Sequence, residues 1–191
     1  MKKPTRNSLS KSYKNLSRAN RSKQILNLFL RYIIILLLGA GNLFIFYKTL
    51  TPITVYTLKI ILNIFTQTTL TENLLILSTI KIQLIPACIA GSAYYLLLIL
   101  NLSTANIKLN KRIKILILTF ITLFILNILR ILLLITINST IFFQPIHELF
   151  WYAISTIFVI ATWIFTVKHY KIKQIPVYDD IKFLYKLIKK K

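Results

Sequence analysis

Residues Ile113–Ile137 read IKILILTFITLFILNILRILLLITI, and the membrane character of the chain follows from this stretch. About 20 apolar residues in an α-helix cross the ~30 Å hydrocarbon core of a bilayer, so the stretch predicts a transmembrane helix. Near its far end lies Arg130, whose guanidinium stays charged at physiological pH. An arginine inside a membrane span is energetically costly, so Arg130 is by default a candidate functional residue.

The whole chain has the composition of a polytopic membrane protein. It has 191 residues, 56% of them hydrophobic, and carries 25 lysines and arginines against 4 acidic residues. Eight basic residues lie in Met1–Gln24, four in Lys108–Lys114 and eight in Lys168–Lys191, in each case beside an apolar run. That distribution is the positive-inside pattern, so the net charge of +21 indicates an anionic inner leaflet rather than nucleic acid as the partner.

Four apolar runs predict an all-α polytopic fold with four transmembrane helices. The predicted spans are Ile25–Tyr47, Leu84–Leu102, Ile113–Ile137 and His147–Val167. Both termini are basic, so both are expected in the cytosol and the number of spans is even. Residues 1–24 then form a mobile basic cytosolic tail and 25–167 the transmembrane domain. Residues 168–191 form a second basic tail, in which Ile181–Lys191 is expected to be an amphipathic helix on the inner membrane surface.

A small extracytoplasmic layer is predicted between the first two spans. It begins with an interfacial helix over Pro52–Leu70, because a fifth span there would place the basic C-terminal tail outside. The sequence then alternates apolar and polar residues, which is typical of a β-strand. We therefore expect a β-hairpin with strands Leu74–Leu77 and Ile80–Ile85 and a turn at Ser78-Thr79.

The composition also bounds the chemistry. One cysteine excludes an intrachain disulfide, and two histidines with four acids offer few metal ligands, so we expect no metal and no cofactor. The first apolar run is too long for a cleavable signal peptide and lacks a small-residue cleavage site. Arg31 lies within the first two turns of that run, where its side chain is expected to snorkel to the inner membrane surface.

Three chemically distinctive side chains are predicted at similar depth in the outer half of the membrane. Cys88 lies at the outer start of the second span, and His147 opens the fourth span. Arg130 lies roughly 25 Å above the inner end of its helix, at 1.5 Å of rise per residue. Asn127 comes one turn before Arg130 and is expected on the same helix face.

Together these side chains are the components of a thiol acyl-transfer site. A cysteine thiolate attacks a carbonyl, an imidazole moves protons, and a guanidinium stabilises the oxyanion or the thiolate. Each residue also has a structural interpretation: Cys88 as a small hydrophobic residue, His147 as an interfacial anchor, and Arg130 as the partner of Glu148 in an ion pair. Under that interpretation the chain is a non-enzymatic small membrane protein, such as an assembly factor or a transporter subunit.

The motifs resemble those of the exosortase/archaeosortase family of membrane transpeptidases. That family has a cysteine at the outer start of one helix, Asn-x-x-Arg on a later helix and a histidine at the start of the next. The corresponding segments here are Pro86-Ala87-Cys88-Ile89-Ala90-Gly91, Asn127-Ile128-Leu129-Arg130 and His147. The resemblance covers about Ile25 to Val167. Gly91 follows Cys88 by three residues, whereas many members have a glycine two residues after the cysteine.

The resemblance implies a multi-pass cysteine transpeptidase of the cell membrane, with its active site facing outside. Its substrates would be exported surface proteins that end in a short motif, one transmembrane helix and a basic tail. Cys88 would form the acyl-enzyme, His147 would act as general acid and base, and Arg130 would stabilise the oxyanion or the thiolate. Asn127 would position Arg130 or the substrate backbone. A membrane lipid with an amine headgroup would accept the acyl group.

Overall fold

The computed structural model of the chain describes residues 6–41, 43–71, 74–77, 80–138 and 141–189, which are mostly helical with one small β-sheet. The helices are α1 Arg6–Ala40, α2 Phe44–Asn63, α3 Pro86–Ile89, α4 Gly91–Leu102, α5 Leu109–Thr136, α6 Phe143–Leu149, α7 Ser155–His169 and α8 Tyr178–Lys189. A π-helical segment, Phe150–Ile154, joins α6 to α7. The strands are β1 Thr69–Thr71, β2 Leu74–Ile76 and β3 Lys81–Gln83.

Three helices in the described part of the chain are long and apolar enough to cross a membrane. They are Arg21–Ala40 within α1, Phe44–Asn63 and Leu109–Thr136. The other predicted spans, Leu84–Leu102 and His147–Val167, contain the shorter apolar helices α4 and α7. These helices are those of a membrane protein.

Helix α5 has two faces of different character. Its buried face includes the polar residues Thr119, Asn127 and Arg130. Its opposite face is exposed and apolar, with one residue in every turn: Ile117, Ile121, Ile125, Leu129 and Leu133. In water such a stripe would be buried, whereas in a bilayer it contacts lipid and the polar residues turn inward.

Helix α1 differs from the prediction at both of its ends. It begins at Arg6, so most of the segment expected to be a mobile tail is helical. It ends at Ala40 rather than Tyr47, and Leu43 then adopts the left-handed conformation with φ 60°. A helix of L-residues does not continue through that conformation, so the predicted first span is divided at this point.

Helix α2 replaces the interfacial helix predicted over Pro52–Leu70. It begins at Phe44, ends at Asn63, and is itself long and apolar enough to cross a membrane. Pro52 lies inside this helix, where its ring nitrogen cannot donate the usual backbone hydrogen bond. The predicted boundaries were wrong because the proline does not start the helix.

The strands of the predicted hairpin are confirmed. β2 and β3 pair antiparallel, with Leu75 opposite Ile82, and the sheet has the order β1-β2-β3. The predicted turn at Ser78-Thr79 lies outside the described residues. β1 was not predicted, because Thr69 and Leu70 were assigned to the end of the interfacial helix and Thr71 to no element.

Arg31 does not have the predicted role. It is only 8% exposed, and its guanidinium donates hydrogen bonds to the carbonyl oxygens of Leu102 (2.8 Å) and Thr104 (3.0 Å). It also forms an ion pair with Asp180 of α8 at 2.7 Å. These three acceptors bind the terminal nitrogens of the buried guanidinium, while its Nε is buried without a hydrogen-bond partner. Arg31 therefore binds protein groups instead of reaching water.

The start of α8 is attached to the same inter-helix loop. Arg112 of α5 also donates to the carbonyl of Thr104, at 2.8 Å, and the amide of Val177 donates to the carbonyl of Ser103 at 2.9 Å. The predicted C-terminal helix over Ile181–Lys191 is present as α8, although it begins three residues earlier. Its last two predicted residues lie outside the described part of the chain.

A hydrophobic cluster supports the sheet and the candidate site. It joins α2, the sheet region and α5 through Val55, Leu58, Leu62, Leu75, Leu84, Ile128 and Ile131. Leu58 and Leu75 have no exposed surface. Cys88 packs against this cluster, so the sheet, α2 and α5 together fix its surroundings.

Candidate functional site

Cys88 lies on a single helical turn, α3, which we call the Cys88 turn (Pro86–Ile89). Ile85 before it is extended, and Pro86 occupies the first helical position, where its missing N–H costs no hydrogen bond. The amide of Cys88 donates to the carbonyl of Ile85 at 2.8 Å. The side chain is a free, half-buried thiol.

The Cys88 turn ends at a strained residue. Ala90 has φ 58° and ψ 33°, the left-handed conformation, which costs an L-residue other than glycine roughly 1–2 kcal/mol. This residue separates α3 from α4, so Cys88 is not part of a long continuous span as predicted. Strained backbone of this kind persists where the surrounding structure imposes it, and such positions cluster at functional sites.

Two polar side chains of α5 bind the backbone of the Cys88 turn. The side-chain amide of Asn127 donates to the carbonyl of Cys88 at 2.9 Å, and the guanidinium of Arg130 donates to the carbonyl of Ala87 at 3.3 Å. Both side chains are buried, at 3% and 5% exposure. They satisfy carbonyls at the end of a short helix, which otherwise lack intrahelical partners, and thereby hold the thiol-bearing turn against α5.

Arg130 also contacts the fourth predicted span. Its second terminal nitrogen donates to the hydroxyl of Ser155 at 2.9 Å, and that hydroxyl donates to the carbonyl of Phe150 at 2.6 Å. Ser155 directly follows the π-helical segment, a feature that often occurs at functional sites. Sequence reasoning missed Ser155, because one serine in an apolar helix gives no signal of its own.

The ion pair between Arg130 and Glu148, the structural alternative considered above, is not formed. Glu148 accepts a hydrogen bond from Gln144 on its own helix at 2.8 Å. Within the described ranges Arg130 has no carboxylate partner, and its Nε atom is buried without a hydrogen-bond partner. Its charge therefore remains in the site without a neutralising acid from the described residues.

His147 and Cys88 border one apolar groove, a cavity of about 150 Å³. One wall is formed by residues 82–85 and the other by the end of α5 and by α6. The imidazole is half-buried and stacks on the ring of Phe143 at 5.6 Å between centroids. The structure thus brings the predicted nucleophile and the predicted general acid/base to a common space.

Arg130 and Asn127 do not line the apolar groove. Arg130 borders a separate cavity of about 250 Å³ on the Ala87 side of the Cys88 turn, together with Tyr47 and Ser155. The predicted residues therefore form two layers. Cys88 and His147 line the groove, and Asn127 and Arg130 bind the backbone of the Cys88 turn without lining the groove.

The arrangement offers the groups of nucleophilic chemistry. A thiol and an imidazole beside one apolar groove are the groups that covalent acyl transfer requires. No group of three or more metal-ligating side chains occurs among the residues that the structure describes.

Comparison of the chain with protein-family models, with curated proteins and with solved structures finds no match in any of the three.

Proposed function

We propose that the chain is a sortase-like cysteine transpeptidase of the membrane. The observation that carries the proposal is the double layer at the Cys88 turn. Cys88 and His147 border one groove, while Asn127 and Arg130 bind the carbonyls of Cys88 and Ala87. The enzyme would cleave exported proteins at a C-terminal sorting signal and transfer them to an amine.

The reaction needs two exchanges at one carbonyl carbon. The Cys88 thiolate attacks the substrate carbonyl, the C–N bond breaks, and the His147 imidazolium gives its proton to the departing amine. The product is a thioester between Cys88 and the substrate. An acceptor amine, such as a lipid headgroup, attacks the thioester, passes a proton to His147 and releases Cys88 as thiolate. The apolar lining favours the amine over water because it restricts access of water.

Arg130 contributes a fixed charge and a fixed geometry. Its hydrogen bond to the Ala87 carbonyl places the guanidinium beside the residue that precedes the nucleophile. A positive charge beside the Cys88 turn would favour the thiolate form of Cys88 over the thiol. Arg130 does not line the groove, and both its terminal nitrogens are bonded to Ser155 and Ala87, so its role would be toward the thiolate rather than the oxyanion. Asn127 positions the same turn through the carbonyl of Cys88.

The packing of α1 against α4 supports a site at the outer membrane face. Arg31 of α1 donates a hydrogen bond to the carbonyl of Leu102 at the end of α4. Ile35, one turn further along α1, accepts a hydrogen bond from Tyr95 near the start of α4. The two helices are therefore antiparallel, and Cys88 lies beyond the start of α4. The basic segments flank the opposite end, and by the positive-inside rule this supports a topology with Cys88 outside and both termini in the cytosol.

We further propose that α1 and α2 together make one crossing, which keeps the total at four. Phe46 of α2 packs beside Phe120 of α5 at 6.4 Å between centroids, and Leu62 of α2 lies in the same hydrophobic cluster as Ile131 of α5. Helix α2 thus runs from the middle of the bundle toward the sheet, the same direction in which α1 runs along α4. This geometry supports an even number of spans.

Processing of the sorting signal tests the proposal. Cells that express the chain with an exported reporter ending in the motif, helix and basic tail should lose processing in Cys88→Ala and in His147→Ala. His169→Ala is the matched control, because His169 is exposed at the far end of α7 and should leave processing intact. Unchanged processing in Cys88→Ala would refute the assignment.

One observation favours the non-enzymatic alternative. Asn127 and Arg130 bind backbone carbonyls, as side chains that only stabilise the packing of helices also would. Under that alternative Cys88 only fills space against the cluster beneath the sheet, and Cys88→Ala would leave every function of the chain unchanged.

A further inference from the structure

The third strand has one hydrogen-bonding edge without a pairing strand among the described residues, and part of this strand lines the groove of the candidate site. The sheet order is β1-β2-β3, so within the described residues β3 pairs on one side only. The amide of Leu77 donates to the carbonyl of Ile80, and Leu75 lies opposite Ile82. Because hydrogen-bonded pairs alternate along an antiparallel ladder, Ile80 and Ile82 bond toward β2. The N–H and C=O groups of Lys81 and Gln83 therefore point to the open side.

The open edge reaches the groove of Cys88 and His147 at Gln83, whereas Lys81 lies just beyond the groove lining. Ile82, Gln83, Leu84 and Ile85 form its strand wall, with Cys88 following directly in sequence. The facing wall includes His147. A groove between a strand edge and helices admits one extended chain, whose main-chain groups would meet those of Lys81 and Gln83.

We propose that the substrate polypeptide binds by strand addition to the open edge of β3, which carries its scissile carbonyl to Cys88. This inference rests on the proposed transpeptidase function and specifies its substrate: an extended segment with a small or medium apolar side chain directed into the groove. Main-chain pairing supplies affinity, and the groove of about 150 Å³ with its apolar lining supplies the side-chain preference.

The features of β3 suit a transient partner. The strand has three residues, so it offers pairing only to a short segment. Lys81 of this strand is exposed and charged, and a charged residue on an edge strand disfavours non-specific pairing with other chains. The main-chain groups of the open edge have no partner strand among the described residues, and an incoming strand would pair with them.

A tethered peptide tests the pairing without any turnover. The full chain in nanodiscs is treated with a short valine- and threonine-rich peptide whose central cysteine carries an activated pyridyl disulfide, which attaches the peptide to Cys88. We expect amide hydrogen exchange at Lys81 and Gln83 to slow by about tenfold or more relative to a 2-mercaptoethanol adduct. A peptide N-methylated at alternate amides should not slow it. Unchanged exchange, or equal protection by the N-methylated peptide, would overturn the inference.

A proline at the open edge gives the matched mutational test. Gln83→Pro removes only the outward N–H, and proline is tolerated at such edge positions, so exchange at Ile82 should stay as slow as before. The peptide should then no longer protect Lys81, whereas in Gln83→Ala, which keeps the N–H, protection should persist. Protection of Lys81 that survives Gln83→Pro would contradict strand addition.

The two levels of the proposal can fail separately. If Cys88→Ala leaves substrate processing intact, the transpeptidase function is wrong whatever the exchange data show. If processing depends on Cys88 but the tethered peptide leaves Lys81 and Gln83 unprotected, the function stands and the binding mode is wrong.

Discussion

At the scale of single residues, the site depends on how Asn127 and Arg130 bind the Cys88 turn. Their spacing of three predicts that they share a helix face, and both are indeed buried on one face of α5. Their partners could not be predicted, because a backbone carbonyl 39 or 43 residues away leaves no trace in the sequence. Ser155 escaped prediction for the same reason.

Arg130→Lys should separate charge from geometry. Lysine keeps the positive charge but, as a point charge, cannot reproduce the fork that bonds the Ala87 carbonyl and the Ser155 hydroxyl together. We expect the rate of substrate processing to fall by roughly 10²-fold or more. The rate would be measured by pulse-chase of an exported reporter.

Labelling of Cys88 by a small maleimide provides the control for Arg130→Lys. The thiol remains at the groove in the variant, so labelling should persist even as processing falls. Wild-type processing in Arg130→Lys would show that the paired hydrogen bonds do not matter for function.

Ala90→Gly should stabilise the protein by about 1 kcal/mol, because glycine adopts the left-handed conformation without the penalty that alanine carries. Thermal unfolding in detergent measures the effect. Ala93→Gly, in the regular part of α4, is the matched control and should destabilise by about 0.5–1 kcal/mol. Equal destabilisation by both substitutions would show that Ala90 is not strained.

At the scale of elements, local patterns predicted what local forces determine. Alternation predicted the β2–β3 hairpin, and apolar length predicted α5. The break at Leu43 and the π-helical segment were not predicted. The break does have a local signal, because Gly41 and Asn42, residues typical of helix ends, directly precede Leu43. The attachment of α8 was missed likewise, since Arg31 and Asp180 lie 149 residues apart.

Asp180→Ala should destabilise the protein by about 3–5 kcal/mol, because it leaves the guanidinium of Arg31 buried without its carboxylate. Asp179→Ala is the matched control: Asp179 accepts an exposed hydrogen bond from the amide of Ile175, and its loss should cost about 1 kcal/mol. Thermal unfolding and limited proteolysis of the C-terminal segment would measure both. Similar losses in the two variants would contradict the role of the buried pair.

At the scale of the whole molecule, charge and hydropathy predicted the class of the protein but not the bounds of all its helices. The basic segments and the apolar runs predicted a helical membrane protein, and the exposed apolar stripe of α5 agrees with that class. Charge and hydropathy could not predict where α1 ends or in which direction α2 runs, because each of the two helices is long and apolar enough to cross the membrane alone. Only the contacts of Phe46 and Leu62 give α2 its direction.

Sidedness of labelling tests the membrane placement. A membrane-impermeant maleimide should label Cys88 in intact cells, since the proposed topology places it at the outer face. In a Cys88→Ala background, Lys173→Cys should react only after the membrane is permeabilised, because Lys173 lies in the basic C-terminal segment. Labelling of Lys173→Cys in intact cells would reverse the topology.

Detection of an acyl-enzyme tests the central claim most directly. Cells that express the chain with a sorting-signal reporter are quenched in acid, and the purified chain is analysed by peptide mass spectrometry. We predict a thioester that joins Cys88 to the truncated reporter and that hydroxylamine cleaves. In Arg130→Lys or His147→Ala the thioester accumulates if the substitution slows acyl transfer more than it slows acylation. A processed reporter with no thioester at Cys88 under any of these conditions, or with its adduct on another residue, would contradict the account.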